Sequence, residues 1–211
     1  MRTRVKICGI TRIEDAQLAI DAGVDAIGLV FYAKSPRFVT NTQAAEISQL
    51  VPAFVSRVAL FKDAEKQLIK SVLQQVEIDL IQFHGSEPAD FCEQFDRPYI
   101  KALGMKTAEC DTDYLGPDYL IGSAEKYQSA KALLLDAHAP GEAGGTGETF
   151  DWTSIATIKK PVVLAGGLTA DNVKQAIKIV HPFAVDVSSG VESSPGIKDK
   201  EKVTAFMQQV V

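Results

Sequence analysis

An α/β chain whose parallel sheet closes into a (β/α)8, or TIM, barrel is what this sequence predicts, on three observations. First, short apolar runs rich in β-branched residues recur eight times: RVKICG (4–9), DAIGLVF (25–31), VSRVALF (55–61), DLIQFHG (79–85), PYIKALG (98–104), KALLLDAH (131–138), PVVLAGG (161–167) and PFAVDVSSG (182–190). Each is too short for a typical helix, and most are bounded by turn residues. Second, the segments between them read as helices, seven in all, with a final one at the C-terminus. Strand–helix alternation calls for parallel strands joined by right-handed crossovers. Third, eight such units in 211 residues fit the lower end of the size of a closed barrel. An open doubly wound sheet is the alternative. The chain is expected to form one domain, 1–211.

The helical segments follow from their periodicity. In RIEDAQLAIDAG, Ile13, Ala16, Leu18, Ala19 and Ile20 make an apolar face and Gly23 supplies a stop. AEKQLIKSVLQQVE carries Leu68, Ile69, Val72, Leu73 and Val76. LTADNVKQAIKIV is expected to start on a Thr169 or Asp171 cap and to continue on Val173, Ile177 and Val180. The last helix is expected within SPGIKDKEKVTAFMQQVV. The fifth connection, TAECDTDYLGPDYLIGSAEKYQSA, is long and carries Gly116 and Pro117, so it is expected to begin as a loop.

Composition excludes several classes. Hydrophobic residues are 46% of the chain, too many for disorder. Lys plus Arg number 22 against 27 Asp plus Glu, a net charge of −5, which supports neither a nucleic-acid nor an anionic-membrane surface. Three cysteines, Cys8, Cys92 and Cys110, make a poor disulfide framework and a poor zinc site, and a reducing cytoplasm suits them. No apolar run approaches the roughly 20 residues of a membrane span, and the N-terminus does not read as a secretory signal.

In barrels of this kind the active site lies at the C-terminal ends of the strands. Those ends carry Cys8-Gly9, the SPR of 35–37, His84-Gly85, Asp136, Gly166-Gly167, and Asp186 with Ser188, Ser189 and Gly190. AGG after strand seven and SSG after strand eight sit where this fold commonly holds a phosphate on backbone N–H groups. Asp136 ends ALLLD, where packing does not call for an acid. Partly desolvated there, it could keep its proton and act as a general acid. The glycine-rich segment behind it, 137–150, reads as a lid or as an ordinary loop. Arg37 has the fork that pairs with a carboxylate, although read alone a surface ion pair is the simpler role. A lone histidine such as His84 is no metal site and is more often structural. Cys92 and Cys110 fall in helical or loop stretches and read as structural.

Strand alternation puts Lys6 and Cys8 on one face. The same parity groups Ala184, Asp186 and Ser188 on strand eight, which neighbours strand one in a closed barrel. A buried Lys6–Asp186 ion pair beneath Cys8 is therefore expected, because burying Lys6 alone is costly. A cation so close would raise the thiolate fraction of Cys8.

With these residues in hand, the chain resembles the phosphoribosylanthranilate isomerases of tryptophan biosynthesis. VKICGIT, GLVFYAKSPRFV, IQFHG, LLLDAHAPGEAGGTGETFDW, VLAGGL and DVSSGVE with SPGIKD carry the likeness over nearly the whole chain, and only 105–130 holds no matching motif. The resemblance implies a (β/α)8 barrel and a cofactor-free, metal-free Amadori rearrangement of N-(5-phosphoribosyl)anthranilate. It implies Cys8 as general base and Asp136 as general acid, Arg37 on the anthranilate carboxylate, and His84 and Asp186 lining the site. Gly166, Gly167, Ser188, Ser189 and Gly190 would hold the phosphate. The implied partner is a small phosphorylated substrate, with neither nucleic acid nor membrane. A pentose-phosphate epimerase and a non-catalytic sugar-phosphate binding barrel are the alternatives. The first commonly relies on a metal or paired acids; the second has no need of Cys8 and Asp136.

Overall fold

The computed structural model describes residues 2–105, 117–137, 150–155 and 158–210. The eight apolar runs form β1 (Arg4–Cys8), β2 (Ala26–Val30), β3 (Ser56–Phe61), β4 (Leu80–Phe83), β5 (Tyr99–Gly104), β6 (Ala132–Asp136), β7 (Val162–Leu164) and β8 (Ala184–Val187). They pair in chain order, all parallel, and β1 closes on β8 with Lys6 opposite Asp186. The sheet is a closed barrel, not an open doubly wound one.

Around it run α1 (Ile13–Asp21), α2 (Asn41–Gln49), α3 (Lys66–Gln75), α4 (Ala89–Cys92), α5 (Pro117–Lys126), α6 (Val173–Val180) and α7 (Lys200–Val210). Among the described residues the crossover from β6 to β7 carries one 3-10 turn, Trp152–Ser154, in place of the expected helix. No helix of the described residues is long and apolar enough to cross a membrane.

Local chemistry explains the helix ends. Thr40 caps α2 in a reciprocal box: its hydroxyl accepts from Gln43 N–H, and the Gln43 amide oxygen accepts from Thr40 N–H. Gly23, with φ of 84°, ends α1 as expected. The α6 start differs from expectation. Asn172 precedes the helix, and its side chain reaches backwards to accept from Thr169 N–H and donate to Gly167 carbonyl, so neither Thr169 nor Asp171 caps it. The face of α1 also differs. Ile13 is exposed and Asp15 buried, because Arg12 pairs with the Asp15 carboxylate and Lys198 N–H donates to it. The last helix starts only at Lys200, since Pro195 and Gly196 turn the chain into a small antiparallel hairpin, β9 (Glu192–Ser194) with β10 (Ile197–Lys198).

Two apolar layers follow from strand parity. Val5, Ile7, Leu29, Phe61, Phe83, Leu133, Leu135, Val185 and their neighbours face the helices in one large cluster. Ile100, Ala102, Ala132, Leu134, Val163, Ala165 and Ala184, of the opposite parity, pack with Leu80 inside the barrel. The interior also holds polar side chains: Lys6 on β1, Gln82 on β4 and Asp186 on β8 are all buried.

Candidate active site

The structure gathers all ten residues singled out in the sequence into one cavity at the C-terminal mouth. Cys8, Arg37, His84, Asp136, Gly166, Gly167, Asp186, Ser188, Ser189 and Gly190 line it, together with Gln82, Tyr32 and Lys62. Each arrives from a strand end or the turn behind it, which is why residues far apart in the chain converge.

Cys8 is the last residue of β1 and is buried. Two glycines make its place. Gly9 has φ of 76°, and a Cβ there would lie 2.4 Å from Arg37 Cδ, so only glycine lets the chain leave β1 beneath the Arg37 stem. Gly28, opposite Cys8 on β2, would put a Cβ 2.7 Å from Cys8 Sγ. Below the thiol, Lys6 Nζ donates to Asp186 Oδ1 at 2.8 Å, with Lys6 only 5% exposed: the expected buried ion pair. Burial works against the Lys6 ammonium, but attraction to Asp186 and to Cys8 outweighs it and raises its pKa. Lys6 acts on Cys8 in the expected direction, but burial outweighs it. Burial pushes the thiol up, Lys6 pulls it down without cancelling that rise, and Asp186 adds to it. Burial thus favours the thiol form, and Lys6 is the group beside it that favours the thiolate.

Asp136 ends β6 and is buried. His84 Nε2 stands 3.4 Å from Asp136 Oδ2, and its other ring nitrogen, Nδ1, lies 2.9 Å from Gln82 Nε2. An amide nitrogen only donates, so Nδ1 accepts and the proton of neutral His84 sits on Nε2, facing the acid. Gln82 Oε1 is buried with no hydrogen-bond partner among the described residues. The loop behind His84 is held from below by Lys101, which donates to Gly85 carbonyl and pairs with Glu87 at 3.1 Å.

Arg37 is no surface ion pair. It is buried, and its Nε and Nη2 donate to Glu192 Oε1 and Oε2 at 2.8 and 2.7 Å. Lys198 Nζ donates to the same Glu192 Oε1 at 2.8 Å. Burial alone would raise the Glu192 carboxyl, yet Arg37 and Lys198 hold it below the ordinary carboxylate range. Burial pulls Lys198 down despite that partner.

The two glycine-bearing loops meet at the far side of the mouth. Ser189–Val191 form a 3-10 turn directly after Ser188, and a Cβ on Gly190 would lie 1.9 Å from Leu168 carbonyl, so the turns behind β7 and β8 are in backbone contact. Ser188 Oγ donates to Cys8 carbonyl at 3.0 Å and ties this loop to β1.

Sequence reasoning does not single out Glu192, Lys198, Gln82, Gly28 or Asn172. Gln82 carries a legible signal, since it precedes His84 by two on β4 and shares its face. Glu192 and Lys198 lie within the quoted DVSSGVE and SPGIKD, but their roles arise from a hairpin that no apolar periodicity announces. Cys92 is buried, its thiol pushed up to about 12 chiefly by burial, in keeping with a structural role. Cys110 and most of the segment expected as a lid, 138–149, lie outside the described residues. Among the described residues no three His, Cys, Asp or Glu side chains gather as a metal site would require.

Known proteins resemble this chain over nearly its full length. A curated N-(5'-phosphoribosyl)anthranilate isomerase of Pseudomonas syringae pv. syringae is 51% identical over 208 residues, covering 98% of this chain and 97% of its own. The crystal structure of phosphoribosyl anthranilate isomerase from Thermotoga maritima superposes with a TM-score of 0.85 at 38% identity, covering 99% of this chain and 98% of that one. A crystal structure of a phosphoribosyl anthranilate isomerase in complex with reduced 1-(o-carboxyphenylamino)-1-deoxyribulose 5-phosphate matches with a TM-score of 0.80 at 36% identity, covering 99% of this chain and 98% of that one. Neither an epimerase nor a non-catalytic barrel is favoured by these matches. The family model described as N-(5'phosphoribosyl)anthranilate (PRA) isomerase matches residues 5–209, and with the barrel and its mouth as found here, the chain belongs to that family.

Proposed function

We propose that the mouth of this isomerase converts N-(5'-phosphoribosyl)anthranilate to its 1-deoxyribulose ketose with Asp136 as general acid and Cys8 as general base. One observation carries the reading: a single cavity has Cys8 on β1, Asp136 on β6, Arg37 after β2, and the paired loops behind β7 and β8 on its wall. Those loops suit the phosphate, with backbone N–H groups and the Ser188 and Ser189 hydroxyls as donors. Arg37 suits the anthranilate carboxylate. Ligand held at both ends would lie with its ribose between Asp136 and Cys8.

Asp136 gives its proton to the furanose ring oxygen, the C1–O bond breaks, and the anilino nitrogen supplies the electrons of a C1=N iminium. Cys8, as thiolate, removes the C2 proton, and the C2–H electrons flow into the iminium to give an enolamine. Tautomerisation, with the C2 hydroxyl becoming the carbonyl, yields the ketose. The iminium is the electron sink, so the base need not be strong. His84 Nε2–H steadies the Asp136 carboxylate once its proton has left, and Gln82 Oε1 is an acceptor for a ribose hydroxyl. Acid–base groups of this kind contribute about 10²–10⁴-fold each.

The test is steady-state turnover of freshly made N-(5'-phosphoribosyl)anthranilate by wild type, Cys8→Ala and Asp136→Asn, beside binding of the reduced product analogue. Each variant should lose at least about 10²-fold in kcat and still bind the analogue. Near-normal turnover in either variant overturns its assignment. An Asp136→Asn chain that fails to fold makes the aspartate structural.

A further inference from the structure

The carboxylate receptor of the site contains a second cation that never has to touch the ligand. Arg37 spends one edge of its fork on Glu192, through Nε and Nη2. A guanidinium has five N–H groups, so Nη1 and the second Nη2 hydrogen remain for the cavity that Arg37 lines. An arginine already paired with a carboxylate is, however, electrically neutral, and a neutral pair is a poor receptor for a further anion.

Lys198 removes that difficulty. It lies on β10 with its side chain fully buried, and its Nζ has three acceptors: Glu192 Oε1 at 2.8 Å, Cys8 carbonyl at 2.7 Å and Ser188 carbonyl at 3.3 Å. Three acceptors take all three hydrogens of an ammonium, so the surroundings are built for the charged form. Two cations then share one anion, and the buried cluster carries one positive charge beside the cavity. We propose that Lys198 is a positioning residue for Arg37: by sharing Glu192, it leaves the Arg37–Glu192 pair one positive charge in excess, which is the charge a substrate carboxylate completes. This rests on the reading of Arg37 as the carboxylate receptor. It also accounts for a buried lysine on β10 whose Nζ otherwise meets main-chain carbonyls, those of Cys8 and Ser188.

The test compares two ligands in each protein: the reduced product analogue, and the same phosphorylated amine lacking the ring carboxylate. Calorimetry gives the ratio of their affinities, a quantity that general damage to the fold does not move. Wild type should prefer the carboxylated ligand. Lys198→Gln leaves a neutral pair and should cut that preference about tenfold or more, at the strength of charges several ångströms apart near a protein surface. The double variant Lys198→Gln with Glu192→Gln returns one net positive charge on Arg37 and should recover the preference to within about threefold of wild type. If Lys198→Gln weakens both ligands equally, or the double variant recovers nothing, Lys198 is packing and the proposal is overturned. If the single variant does not fold, the double variant decides alone by keeping or losing the preference. If wild type itself shows no preference, the carboxylate role of Arg37 fails first and takes the proposal with it.

Discussion

Gln82 Nε2 lies 2.9 Å from His84 Nδ1, and through that contact a residue buried in the barrel sets the proton of a residue at its mouth. Because the amide nitrogen donates, the neutral imidazole keeps its hydrogen on Nε2, toward Asp136. The expected outcome in nitrogen-resolved NMR is an Nε2–H tautomer for His84 in wild type. In Gln82→Glu the amide donor facing Nδ1 is replaced by a carboxylate, an acceptor, which demands a proton on Nδ1. The Nε2–H form should then cease to be the sole neutral tautomer, and kcat should fall about tenfold, the worth of one hydrogen bond to a charged group. An unchanged tautomer would sever Gln82 from the acid.

The raised pKa of Cys8 has a direct readout. Thiolate absorbance, taken as the difference between wild type and Cys8→Ala, should titrate above the ordinary thiol value of 9.0. Asp186 holds the thiol up, partly by occupying Lys6, so Asp186→Asn should move the midpoint to lower pH. A midpoint that rises instead would mean that Lys6 is not shared between the two.

Space around the thiol is equally testable. A Cβ at Gly28 would crowd Cys8 Sγ at 2.7 Å and Lys6 Nζ at 3.1 Å. Gly28→Ala should lower kcat about 10²-fold, the cost of moving a reacting group by roughly 1 Å. Analogue binding through the phosphate loops should persist. Gly122→Ala is the control, since nothing lies within 4 Å of its Cβ. It sits inside α5, and it should add about 0.5–1 kcal/mol of stability with kinetics unchanged.

Phe83 is fully buried, with Phe91, Phe95 and Tyr99 around it at ring distances of 6.1, 5.8 and 5.7 Å. Phe83→Ala should cost about 3–5 kcal/mol in denaturant unfolding. A loss under about 1 kcal/mol would show that the cluster collapses into the gap.

Strands were legible because both strand parities bury apolar side chains, one against the helices and one in the barrel, giving continuous apolar runs. The Lys6–Asp186 pair was legible for the same reason: parity and closure put the acid of β8 opposite Lys6. Two kinds of feature escaped. The start of α6 depends on Asn172 turning its side chain back to Thr169 and Gly167, a local choice that composition does not separate from a Thr169 or Asp171 cap. The Glu192–Lys198 cluster depends on a two-strand hairpin joined at Pro195 and Gly196, where a helix-like run of charged residues masks the turn. Reactive strand-end residues announce themselves by position, whereas the groups that set their charge lie in connections without periodicity.

The barrel closes through two residues separated by 180 positions, Lys6 near the beginning and Asp186 near the end. The environment of Cys8 is thus completed only when the last strand docks against the first. A growing chain exposes the Cys8 segment early in synthesis and acquires its electrostatic counterpart almost last. Two polypeptides made by cutting the gene between any two βα units would each hold one half of this seam, and isomerase activity would then report their reassembly.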